Sequence, residues 1–306
     1  MSPSSSLRRH CTLFLTAVHY ALIEHLRNRF AMVLIAVFIP VWSVLAFFCV
    51  SDTVAPFLLH ATGQLLTPHG NQLTGISGAL NAVTLIVGFM MFAVSFNGGP
   101  FDQRLALAGY PRAHLVLAKL TSLVLASAVV AAYATAATCA FWIPEQPALL
   151  AAALFGAGIT YGALGVAFGS LLRREVEGMF AIVMTSIIDL ALQNPLWSVS
   201  SNSGVVRYLP SYGAMQAATG AGFSSSPLPT YLLVQAGWFA GSAVIGFLTF
   251  HYRTRGAIRR KDSFPATRQR SPLHRSTPGR SLPPSRAEVP ERGREGRARP
   301  LITDDS

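Results

Sequence analysis

Catalysis needs nucleophiles, bases or metal ligands brought together, and this 306-residue chain is poor in all three. Its eight histidines, at positions 10, 19, 25, 60, 69, 114, 251 and 274, never take the H-E-x-x-H or i, i+4 spacing that turns two imidazoles to one helix face. Cys11, Cys49 and Cys139 show no C-x-x-C spacing and read as small buried apolar residues. Cys49 and Cys139 fall near one face of the membrane layout below, which leaves a disulfide between them open. A phosphate-cradling loop needs a lysine after its second glycine, whereas the two lysines, Lys119 and Lys261, follow Ala118 and Arg260. The G-x-S-x-G nucleophile elbow is also missing. The expectation is a chain with no catalytic centre, no metal and no cofactor, which does not itself hydrolyse nucleotide.

One ionisable residue lies inside an apolar stretch. Asp189 stands about 12 residues, or roughly 18 Å of helix, beyond Glu177, with Gln193 and Asn194 near i+4 and Pro195 ending the helix. A carboxylate in hydrocarbon is costly and must face protein or water. It is either a substrate or proton site or an anchor hydrogen-bonded to a neighbouring helix. A single acid near a boundary is thin material for a proton relay, which favours the anchor.

The segment Asn97-Gly98-Gly99-Pro100 predicts a helix break, and Phe101-Asp102-Gln103-Arg104-Leu105-Ala106-Leu107-Ala108 a short separate helix stopped by Gly109 and sealed by Pro111. That run places Phe101, Leu105 and Ala108 on one face and carries Asp102 and Arg104. The mixture suits docking in a groove of a partner, or an ordinary solvated turn between helices.

The elements that must position these residues are set by composition. Apolar residues make up 51% of the chain and charged ones 12%, against about a quarter charged in a soluble domain, so lipid is the solvent for most of it. Six segments approach the 20 or so apolar residues needed to cross about 30 Å of hydrocarbon. They are Phe30 to Val50, Gly78 to Phe96, Leu120 to Trp142, Ala148 to Leu172, Met179 to Trp197 and Tyr231 to Phe250. The predicted fold class is thus an all-α integral membrane protein with six transmembrane helices. Of the 24 Lys and Arg residues, all but Arg207 fall in the connections and termini of one side, which the positive-inside rule makes cytoplasmic, with both termini there. The stretch 198–230 is rich in Ser, Gly and Pro yet holds Leu209, Tyr212 and Met215, consistent with a short re-entrant or interfacial helix.

Three domains follow. Residues 1–29 carry Leu7, Cys11, Phe14, Leu15, Val18, Leu22 and Leu26 at helical spacing, an amphipathic helix lying on the membrane surface or packed on the protein. Residues 30–252 form the six-helix body. Residues 253–306 are a basic Arg/Pro/Ser-rich tail with too little apolar surface to order itself. The tail holds most of the net charge of +11 but has no interleaved aromatics, so its partner is anionic lipid rather than nucleic acid. Glycines four apart, Gly158 and Gly162, Gly165 and Gly169, Gly237 and Gly241, let helix backbones approach, within the chain or across a dimer seam.

The layout of a surface helix, a first span, a long outer loop, a second span, the run Phe101 to Arg112 leading into Ala118-Lys119, and four more spans resembles the permease subunit of type-2 ABC exporters, the class that includes bacterial drug and polysaccharide exporters. The likeness covers about residues 8 to 252. It implies that Phe101, Asp102, Arg104, Leu105 and Tyr110 belong to a coupling helix contacting a separate ATP-binding subunit, with Asp102 where many relatives have Glu. It also implies a second permease copy or paralogue completing the pathway, efflux by alternating access, and residence in the cell membrane. An ion-coupled secondary transporter, or a non-transporting membrane enzyme or assembly factor, remains the alternative.

Overall fold

The computed structural model describes residues 3–60, 62–198, 203–225 and 229–262. The tail beyond residue 262 lies outside them, and with it the expectation of disorder there. Among the described residues nine α-helices follow one another: α1 (Pro3–Arg27), α2 (Arg29–Val33), α3 (Ile39–Cys49), α4 (Gly70–Leu107), α5 (Arg112–Cys139), α6 (Pro147–Leu171), α7 (Glu175–Gln193), α8 (Tyr212–Phe223) and α9 (Pro229–Asp262). A π turn, Leu34–Phe38, joins α2 to α3 just ahead of Pro40, which has no N–H to give to the ladder.

Among the described residues five helices are long and apolar enough to cross a membrane: Arg29–Cys49, Gly70–Asp102, Ala113–Cys139, Pro147–Leu171 and Thr230–Thr249. The protein is a helical, membrane-embedded chain. The expected fifth span is not among those five. Its helix, α7, has 19 residues, opens on Glu175 and Glu177, contains Asp189, and stops at Gln193, short of Trp197.

α6 sits at the centre and packs most extensively on α4, then on α9, α5 and α8. Its glycines explain how. A Cβ on Gly165 would run into the Gly88 carbonyl of α4, and one on Gly169 would meet Phe92 O, Ser95 and Phe96 N, so α4 and α6 touch backbone to backbone. Gly158 and Gly162 instead receive side chains, Val83 and Val87 from α4 and Ser127 and Leu123 from α5. Nothing lies within 4 Å of a Cβ built on Gly237 or Gly241, which makes that pair an open face of α9 rather than an internal seam.

Several boundaries differ from those the sequence predicts. α4 begins at Gly70, eight positions before the predicted span, because its first turns hide polar Thr74 and Ser77 against the protein. It also runs unbroken through Asn97-Gly98-Gly99-Pro100, so the predicted break is wrong. Gly99 has no Cβ to clash with the proline ring. The helix is held on both sides of the weak point, by Ser95 Oγ donating to Val166 O (3.1 Å) and by an ion pair from Asp102 to Lys119. Gly109, at φ 89°, closes the helix, with Tyr110 N donating to Leu105 O at 3.0 Å as in a Schellman cap. α9 continues past Tyr252 to Asp262. The loop before α4 folds into an antiparallel hairpin, β1 (Phe57–Leu59) with β2 (Gln64–Leu66), turning at Gly63 and burying Phe57, Leu59 and Leu66. Cys49 and Cys139 are free thiols, so no disulfide joins them.

Candidate functional site

Two polar centres lie toward opposite ends of α7. The first is built around Asp189, which is 1% exposed. Its Oδ2 accepts from Tyr161 Oη of α6 at 2.6 Å and from the Ser211 backbone N–H at 2.9 Å, and its Oδ1 accepts from Gln193 Nε2 at 2.7 Å. Gln193 Nε2 also reaches Ser211 Oγ at 2.9 Å, and Asn194 Nδ2 donates to Ser77 Oγ of α4 at 3.0 Å. Ser211 is the N-cap residue of α8, so the carboxylate faces the positive end of that helix. Gln235 of α9 completes the arrangement: its Oε1 accepts from Ala214 N (2.9 Å) and its Nε2 donates to Thr160 Oγ1 (2.7 Å) and Pro210 O (3.1 Å).

α8 has only 12 residues, and all from Tyr212 to Gly222 are buried. A helix that short and enclosed must have its end groups satisfied by protein. Asp189, Ser211 and Gln235 serve its start. At its end, Gln146 N donates to Ala221 O (2.8 Å), Gln146 Nε2 donates to Ser224 O (2.6 Å), and Trp142 stacks on Phe223. On its flank Gln216 bonds Leu58 O and the His60 backbone of the hairpin. Asp189, Gln193 and Asn194 therefore act as a clamp. Both carboxylate oxygens are taken, and the anchor reading is the one this geometry fits.

The second centre is the corner where α4 ends and α5 begins. The docking residues expected there separate into two groups. Phe101 is 63% exposed and Leu107 53%, with Arg104, Ala108 and Gly109 exposed beside them. Leu105 is half-buried. Asp102 turns the other way: it is buried and spends its charge on Lys119, so it is not offered to a partner. Tyr110 points back as well, donating from Oη to Leu13 O of α1 at 2.7 Å.

α1 packs along α5 and seals this corner from the side. His10 stacks on His114, and buried His25 bonds Ser122 at 3.3 Å, while Cys11, Leu15, Tyr20 and Leu26 stay exposed on its other side. Of the two readings for this helix, packing on the protein is met by one stripe and leaves an apolar stripe uncovered. Burial lowers the His25 pKa. Partial burial raises that of Glu24, with Lys119 opposing and Asp102 reinforcing. Glu24, His25 and Lys119 come together only in three dimensions, and no local spacing groups them. The clue available for the first centre was Gln235, an amide in the middle of an apolar span.

Among the described residues no group of three His, Cys, Asp or Glu side chains could hold a metal ion. In the second centre the Ser122 hydroxyl lies beside the His25 imidazole, both buried, and in the first both oxygens of Asp189 accept hydrogen bonds. Compared with protein-family models, curated proteins and solved structures, the chain matches none.

Proposed function

We propose that this chain is the membrane-spanning permease subunit of an ABC-type exporter, with a separate ATP-binding subunit docking on the α4–α5 corner. In this reading α7 is the fifth of six spans, both termini are cytoplasmic, α1 lies on the inner surface of the cell membrane with its exposed apolar stripe in lipid, and a second copy or a paralogue completes the pathway. The observation that carries it is the corner itself. An apolar and basic surface, Phe101, Arg104 and Leu107, stands free at the end of a 38-residue helix, while the neighbouring acid and tyrosine are turned inward to brace it.

Such a corner is mechanically suited to coupling. α4 is continuous from the docking surface into the core, and the Asp102–Lys119 pair fastens it to α5 while Tyr110 fastens the loop to α1. A push on the corner by a closing ATPase would move α1, α4 and α5 together, the rigid-body rocking that alternating access requires. Substrate release outward would follow without covalent chemistry in this chain.

The test is co-expression with the ATP-binding protein encoded nearest to it. Arg104→Glu with Leu107→Asp is expected to cut co-purification about tenfold or more while leaving elution of the permease unchanged. Unchanged association and ATPase stimulation would remove the corner from the coupling site.

A further inference from the structure

A cleft of about 490 Å³ opens between the α1–α2 junction, α4 and the start of α7. Its floor and walls are apolar, with Phe89 and Met90 from α4 and Met179 from α7, and its mouth is polar, with Glu24, Arg27 and Glu175. That volume is within the range of about 300–1,000 Å³ typical of small-molecule sites, and an apolar pocket with a few convergent polar groups is their usual construction.

The charges at the mouth do not cancel. The lining holds two carboxylates and one guanidinium, and behind them Lys119, which also acts on Glu24, is paired with Asp102, so the acids outnumber the bases by one. Glu24 and Glu175 make no hydrogen bond or ion pair with other described residues, whereas Glu177, one turn-step away, pairs with Arg174 at 3.7 Å. Glu175 in the first turn of α7 also suits the helix dipole, but that role leaves its carboxylate turned to the cleft. An uncompensated negative charge above an apolar, aromatic-lined floor attracts a positive charge carried on a greasy body.

We infer that this cleft binds amphipathic organic monocations, with Glu24 and Glu175 selecting the charge and the Phe89–Met90–Met179 wall taking the apolar body. As a statement about transported substrate this rests on the permease reading, but the binding does not, and it is measured without any ATP-binding partner.

The experiment uses the full chain in phosphatidylcholine nanodiscs and equilibrium dialysis with three probes of similar shape: tetraphenylphosphonium, its anionic counterpart tetraphenylborate, and neutral triphenylphosphine oxide. After subtraction of binding to empty nanodiscs, the cation is expected to bind at least about tenfold more tightly than the other two, and Glu24→Gln with Glu175→Gln to remove most of that preference. Ala93→Phe, placed in the wall, is expected to weaken all three probes. Thermal melts of each variant separate lost binding from lost fold. Equal binding of cation and anion, or a preference unchanged by the double substitution in a folded protein, would overturn the assignment. Displacement of the cation by phosphatidylethanolamine but not phosphatidylcholine would overturn it too, by making the cleft a lipid-headgroup site.

Discussion

The Asp189 centre and the α4–α5 corner contain similar side chains and use them in opposite ways. Around Asp189, acid, amides and hydroxyls are buried and directed at one another or at the ends of α8, binding α4, α6, α7, α8 and α9 into one body. At the corner, one ion pair and one tyrosine face inward, while Phe101, Arg104 and Leu107 are exposed and the Glu24 carboxylate makes no hydrogen bond with other described residues. An acid within an apolar helix is therefore not by itself a transport site. Its neighbours decide, and here they close the inner cluster and leave the corner open.

Substitutions that break this contrast should differ in kind. Asp189→Ala strips the acceptor from Tyr161, Gln193 and the buried Ser211 N–H, and is expected to cost about 3 kcal/mol or more, seen as a collapsed melting transition and poor recovery of folded protein. If Asp189→Ala melts like the parent, Asp189 is not a clamp. Asp102→Asn removes one charge at a more solvated place and is expected to cost about 1–2 kcal/mol, with folded protein still recovered and docking weakened through a loosened corner. A smaller effect comes from pH. His25 has its pKa lowered by burial, so the unfolded chain takes up a proton first as pH falls below the ordinary value near 6.5, and stability declines with it. Glu24, raised by burial, works with the opposite sign above its ordinary value near 4.5. Melting temperature against pH should fall on the acid side of about 6.5, and His25→Leu should flatten that slope; a slope unchanged by the substitution would place its origin elsewhere.

How much of this the sequence reveals depends on how local the signal is. Composition and segment length point to a helical membrane protein, and Gly109 marks the end of α4 because a positive-φ stop needs glycine. Asp189 stands out because a charge is rare in apolar surroundings. Its partners do not: Tyr161, Ser211 and Gln235 become a site only when three helices meet. The hairpin strands, three residues each, are too short to show an alternating pattern. The break expected at Pro100 fails for the same reason in reverse, since local propensity pointed to a kink and contacts from Val166 and Lys119 hold the helix in line. In α7 the residues of the polar clamp lower the hydropathy of the helix that carries them.

The proposed placement of the open corner in the cytosol can be measured in intact cells. In a chain with Cys11, Cys49 and Cys139 replaced by alanine, Arg104→Cys and, separately, Leu65→Cys in the exposed hairpin are challenged with a membrane-impermeant maleimide before and after permeabilisation. Immediate labelling at position 65, with position 104 reacting only once the membrane is opened, is the expected result. Labelling of position 104 from outside intact cells would contradict the docking of any cytoplasmic ATPase on this corner.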